Sequence, residues 1–173
     1  MDILDVLVQR RSVKKYSDRV PEDEKIEKIV QAGLYAASGK NGQCTIMMVV
    51  KDRTLVRELS KLNASILGSN GDPFYNAPVV IVVFADRNHS TYLEDGSLVL
   101  GNMMNEAYSI GVDSCWIHRA RQMFETPEGR AIARRYNVPD EYIGIGNCIL
   151  GYVEGDYPTA KPRKEGRVIT VEW

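Results

Sequence analysis

The chain of 173 residues carries 22 basic and 23 acidic side chains, a formal charge of −1, which excludes the basic excess of a dedicated nucleic-acid binder. At 44% hydrophobic and 26% charged, the composition is that of a globular protein and not of a disordered one. Cys44, Cys115 and Cys148 cannot all pair with one another and lack zinc-site spacing, so a reducing compartment and no metal are expected. The start Met1-Asp2-Ile3-Leu4-Asp5 has no basic, apolar leader, and the longest apolar run, 77–85, is too short to span a bilayer, so the chain reads as cytoplasmic and off the membrane.

Residues 2–9 are expected to form a short helix with Ile3, Leu4, Leu7 and Val8 on one face. Pro21 opens a second helix, acidic in its first turn, with Ile26, Ile29, Val30, Gly33, Leu34 and Ala37 at the helical period. A polar, glycine-bearing loop at 38–43 leads into a strand at 45–50. Asp52 caps a helix that carries Leu55, Leu59, Leu62 and Ile66 on one face, and 68–72 is a second loop. Residues 78–84 are apolar without alternation and rich in β-branched side chains, as suits an interior strand covered on both faces. Residues 94–110 are apolar on nearly all sides, which fits a helix buried in a core or in a subunit interface. A strand at 114–117, a loop around His118, a helix opened by Thr126-Pro127-Glu128 and running to about Tyr136, and a strand at 143–153 follow. The tail from 157 is basic, then β-prone at 168–171. No repeat or linker divides residues 1–173, which read as one domain: a mixed α/β sheet sandwiched by helices.

Three segments carry candidate chemistry. Arg10, Arg11, Lys14 and Lys15 surround Ser12 directly after the first helix. Guanidinium groups with a hydroxyl suit a phosphate, and the same cations also suit the negative end of the preceding helix. The loop 38–43 packs Ser38, Gly39, Asn41, Gly42 and Gln43 together. Its glycines allow close backbone approach and its amides both donate and accept, as a heterocycle edge requires; a plain polar turn has the same composition. Lys161, Arg163 and Lys164 form a second basic cluster, either a phosphate clamp or a solvated tail. Neither GxGxxG nor GxxxxGK[ST] occurs. Strand alternation sends Cys115 and His118 to opposite faces, against a shared metal, and the three cysteines read as buried packing residues.

In order along the chain stand Arg10-Arg11-Ser12-Val13-Lys14-Lys15-Tyr16, then Ala36-Ala37-Ser38-Gly39-Lys40-Asn41-Gly42-Gln43, then Asp72-Pro73-Phe74-Tyr75-Asn76-Ala77-Pro78 with its apolar strand, then Gly111-Val112-Asp113-Ser114-Cys115-Trp116-Ile117, then the basic tail. With these blocks the chain resembles the FMN-dependent nitroreductase family in its short form. The resemblance implies an α+β fold, a mixed sheet sandwiched by helices, and a homodimer with two FMN molecules at the subunit interface and C-terminal strand exchange between subunits. It implies Arg10, Ser12 and Arg11 at the flavin phosphate and ribityl chain and Lys14 at the N1–C2 edge of the ring. It implies Ser38, Gly39, Asn41 and Gln43 in a flavin loop acting in part across the interface. The backbone of His118 and Arg119 would lie near N5 and O4, and Lys161, Arg163 and Lys164 would close over the phosphate.

The implied activity is two-electron transfer from NAD(P)H to an electron-poor acceptor, a nitroaromatic or quinone, in ping-pong order, with the cofactor supplying the chemistry and no side-chain acid required. The alternative is a flavin-binding module without turnover, a cofactor store or redox sensor. The chain departs from the family pattern in two places: Cys44 stands where many relatives have proline, and His118 and Arg119 where relatives often carry smaller groups.

Overall fold

In the computed structural model, which describes residues 2–172, one sheet has helices on both faces. The elements in chain order are α1 (Ile3–Gln9), α2 (Asp23–Leu34), β1 (Thr45–Val50), α3 (Arg53–Leu67), β2 (Val79–Asp86), α4 (Tyr92–Ser109), β3 (Asp113–Ile117), α5 (Ala120–Glu125), α6 (Pro127–Arg135) and β4 (Tyr142–Gly151). The strand order is β1-β2-β4-β3, and every neighbouring pair is antiparallel. β2 and β3 therefore run the same way on either side of β4, and α4 is the helix-length crossover between them. The sheet's one parallel link is a bridge between Ser12 and Ser114.

The unalternating apolar run of β2 is explained by its position. Val80, Val82 and Phe84 enter a core under α3, α5 and α6, and Val79, Ile81, Val83 and Ala85 enter a second core under α2 and α4. Both faces are covered, so neither needs polar side chains. The caps read from sequence are present. The Asp52 carboxylate accepts the Leu55 N–H at 2.7 Å, and the Thr126 hydroxyl accepts the Gly129 N–H at 3.0 Å with Pro127 in the first turn.

Several boundaries differ from expectation. The second helix ends at Leu34, so Ala37 lies beyond it. α5 replaces what sequence suggests is loop after His118. At six residues it shows no periodicity, and it forms because Ala120, Met123 and Phe124 are buried and Gly144 lets it lie on β4, where a Cβ would meet the Ala120 backbone at 2.6 Å. α4 is not covered all round: Val99, Leu100, Met103 and Ala107 are buried, while Leu93 and Leu98 face outward. The apolar face of α1 is also open, with Ile3 75% exposed and Leu4, Leu7 and Val8 exposed as well. Among the described residues the β-prone segment 168–171 joins no strand, and Ile169 is 89% exposed. A strand needs a neighbour's backbone groups. No helix among the described residues is long and apolar enough to cross a membrane.

Candidate functional site

The segment after α1 runs along the outer edge of β3. The Val13 N–H donates to the Ser114 carbonyl at 3.1 Å, and Tyr16 bridges to Val153. Val13 and Tyr16 are buried, while Ser12, Lys14 and Lys15 are exposed. Arg10, Ser12 and Lys14 converge on β3. Burial raises the Cys115 thiol, and against that act the Ser12 hydroxyl and the Lys14 and Arg10 charges. At the root of the tail, the Tyr157 hydroxyl accepts the Arg11 N–H at 2.8 Å, and the Tyr157 ring lies beside that of Tyr108.

Among the described residues no carboxylate lies within ion-pair distance of Arg10, Arg11, Lys14 or Arg119, whereas the adjacent Lys15 is paired with Glu154. Arg10 is half-buried, and its Nη1 is buried without a hydrogen-bond partner. A desolvated guanidinium without a counter-ion is costly, and an anion supplied from outside the chain would offset that cost.

Beside Lys14 lies a cleft of about 460 Å³ bordered by Tyr75, Cys115, His118 and Arg119. Its inner wall is fixed from beneath. The side-chain amide of Asn63 donates to the His118 carbonyl at 2.7 Å, and that of Asn147 donates to the Ile117 carbonyl at 3.1 Å. Both asparagines are fully buried. Arg119 then turns in the left-handed region, φ 75°. The strand ends at Ile117, so alternation stops there, and Cys115 and His118 border the same cleft instead of facing apart.

The loop 38–43 is elsewhere. It is a 3₁₀ turn with Lys40, Asn41 and Gln43 at positive φ. The Gln43 side chain donates to Asn41 Oδ1 at 3.2 Å, and the Ser38 hydroxyl accepts the Gln43 N–H. The anchor is Asp95, a buried carboxylate on α4. It accepts the Gly39 N–H at 3.0 Å, the Cys44 thiol at 3.3 Å and the Thr91 hydroxyl at 3.2 Å. Gly39 is required here, because a Cβ would lie 2.2 Å from Thr91 Oγ1. Burial and Asp95 push the Cys44 thiol up to about 11, and burial pushes Cys148 up to about 12. These thiols are neutral packing groups, as read from sequence.

The structure thus brings Arg10, Arg11, Ser12, Lys14, His118 and Arg119 to one edge, and sets Ser38, Gly39, Asn41 and Gln43 at the far end of α4. Asp95 holds that loop, whereas the Tyr108 hydroxyl meets Gln9 at the opposite end. Asp95 and Tyr108 stand thirteen positions apart on the helix, about 20 Å at 1.5 Å per residue. Lys161, Arg163 and Lys164 lie on the exposed tail, and among the described residues none of them forms an ion pair. Sequence reading overlooked Asp95, Asn63, Asn147 and Tyr157. For Asp95, Asn63 and Asn147 the available signal was a lone polar residue inside an apolar helix face or strand; Tyr157, outside any element, had none.

The Nitroreductase family model matches residues 7–73. A protein of Archaeoglobus fulgidus assigned as an NADH dehydrogenase/NAD(P)H nitroreductase is 30% identical over 159 residues, covering 87% of this chain and 85% of that one. An FMN reductase [NAD(P)H] of Bacillus subtilis is 29% identical over 96 residues, 54% of this chain and 36% of that one. Among solved structures, a Bacteroides fragilis nitroreductase with bound FMN superposes with a TM-score of 0.92 at 25% identity, covering 99% of this chain and 100% of that one.

Proposed function

Since the chain belongs to the nitroreductase family, we propose that it is an FMN-dependent NAD(P)H oxidoreductase, one domain over residues 1–173, whose acceptor is an electron-poor nitroaromatic or quinone. The observation that carries this reading is the row of cations Arg10, Arg11 and Lys14, without counter-ions among the described residues, beside a cleft whose backbone wall is pinned by two buried asparagines. A phosphomonoester carries about two negative charges, and Arg10 with the Ser12 hydroxyl would hold it. FMN, when bound, supplies hydride acceptance from NAD(P)H and two-electron donation to the acceptor. Lys14 would face the N1–C2 edge, where its ammonium stabilises negative charge. Asn63 and Asn147 fix the carbonyls at 117–118, so the backbone at Arg119 would present its N–H groups to the ring without rearrangement. Reductant and acceptor would share this one open cleft in turn, which gives ping-pong kinetics.

The loop 38–43 joins this site only if it comes from a second copy. A homodimer is supported by the open apolar faces of α1 and α4, and by the length of α4 between Asp95, which holds the loop, and Tyr108, which meets Gln9 beside Arg10. β1 is the sheet edge left unpaired, because β3 is bridged by Ser12. The partner's 168–171 segment would pair there as a fifth strand and bring the tail cations Lys161, Arg163 and Lys164 to the phosphate.

The test is an absorbance spectrum of the purified protein followed by anaerobic titration with NADPH and NADH. Flavin bands that bleach support the reading. A colourless protein that takes up no added FMN overturns it.

A further inference from the structure

A groove of about 300 Å³ opens along α3, next to the cleft just described and sharing Gly71 and Asp72 with it. Its volume lies at the lower end of ligand pockets. The floor is apolar, made by Val56, Phe74 and Ala77, all buried. The rim is cationic. Arg53, Arg57 and Lys61 recur every four residues and so share one face of the helix. Arg53 is already engaged, with Asp18 at 3.3 Å and the Asn76 carbonyl at 3.4 Å. Arg57 and Lys61 are exposed, and among the described residues neither has a carboxylate within ion-pair distance.

One carboxylate does border the groove, that of Asp72. Its oxygens are taken up by the Ser60 hydroxyl, by the Phe74 N–H at 2.9 Å and by the Asn76 N–H at 2.5 Å. It serves the loop and leaves the two cations unneutralised. An apolar floor beside two cations that have no carboxylate partner among the described residues fits an aromatic base joined to a phosphomonoester dianion. The groove also lies on the α3 layer of the sheet, away from the open apolar faces of α1 and α4, and stays accessible when those faces are covered.

We infer that this groove takes the adenosine end of the dinucleotide reductant, with Arg57 and Lys61 holding its 2′-phosphate, so that the enzyme prefers NADPH to NADH. The inference rests on the proposed NAD(P)H activity and adds the site of discrimination. The nicotinamide end would reach the cleft beside Lys14 around the shared wall at Gly71 and Asp72.

The experiment uses the FMN-loaded protein and the double variant Arg57→Ala/Lys61→Ala. Steady-state rates with a quinone acceptor are measured with each nucleotide, and binding of 2′,5′-ADP is measured by calorimetry. The wild type is expected to favour NADPH in kcat/KM by about tenfold or more, the scale of one or two charge-assisted hydrogen bonds. The double variant loses that preference through KM for NADPH, while kcat/KM for NADH and FMN content stay the same, and its affinity for 2′,5′-ADP falls about tenfold. Equal use of both nucleotides by the wild type, or an NADPH preference that survives in the double variant, overturns the assignment. If neither nucleotide reduces the protein, the proposed activity fails, and the 2′,5′-ADP titration still decides on the groove: binding that needs Arg57 and Lys61 upholds it, and no binding removes it.

Discussion

The two faces of the sheet differ in how completely one chain finishes them. Under α3, α5 and α6, Phe84 packs edge-on against Phe124 at 4.7 Å, and Leu59, Met123 and Ile132 are wholly enclosed. On the other face α2 and α4 cover β2, but the outer sides of α1, α2 and α4 leave Leu4, Leu7, Leu34, Tyr35, Leu93 and Leu98 in water. Large exposed apolar patches often mark interaction surfaces. The site divides in the same way. The Arg10–Lys14 edge and the 118–119 turn are tied into the finished side by buried hydrogen bonds, whereas the 38–43 loop sits on the unfinished side, held by Asp95 alone. On the proposed dimer reading, one fold carries two half-sites, each completed by the other copy.

The contrast can be broken most severely at the open face. Leu4→Glu/Leu7→Glu should convert a dimer into a 19.4 kDa monomer and release FMN, since truncating interface anchors costs about 2–4 kcal/mol each. Sedimentation with flavin absorbance reads both effects, and a dimer that persists with full flavin would leave α1 outside the interface. Asp95→Ala comes next. It removes a buried acceptor from the Gly39 N–H, the Cys44 thiol and the Thr91 hydroxyl, and should lower stability by about 2–3 kcal/mol, visible as a fall in Tm, together with weaker FMN binding. Arg10→Ala should weaken FMN by about 1.5–3 kcal/mol, the worth of a charged hydrogen bond, with the fold intact by circular dichroism. Fluorescence titration gives the dissociation constant, and an unchanged value takes Arg10 out of the phosphate site. Asn41→Ala, removing a neutral contact, should cost about 1 kcal/mol in the same titration.

The smallest effect concerns the thiols. Cys44 and Cys148 are pushed up to about 11 and about 12 by burial, so both stay protonated from pH 7 to 9, and Cys115 is raised too. Ellman's reagent should titrate no native thiol in that range and three after denaturation. Rapid labelling of the native protein would show that the cysteine-bearing strands open.

The long elements were legible because burial on one or both faces writes a period into the chain. β2 was readable from its unbroken apolar run and α3 from Asp52 and its leucine stripe. α5 was not, because six residues make too few turns to show a stripe. The Arg10–Lys14 cations were visible as a cluster, yet their spacing alone favoured helix-end charges slightly over a phosphate grip. The difference between Lys15, paired with Glu154, and Lys14, unpaired, exists only in three dimensions. Asp95, Asn63 and Asn147 were passed over because a single polar residue in an apolar segment gains its meaning from a partner 29 to 56 residues away. The open faces of α1 and α4 were legible as apolar, but whether core or another subunit covers them is not written in periodicity.

The most direct measurement is complementation in mixed dimers. A chain carrying Arg10→Ala is co-expressed with a differently tagged chain carrying Asn41→Ala/Gln43→Ala, and the mixed dimer is isolated and titrated with FMN. If each pocket joins the cation edge of one copy to the loop of the other, one pocket collects every defect and the other none, so half the sites bind at wild-type affinity. If every pocket is built within a single chain, each carries a lesion, and the absence of any wild-type site would contradict the account.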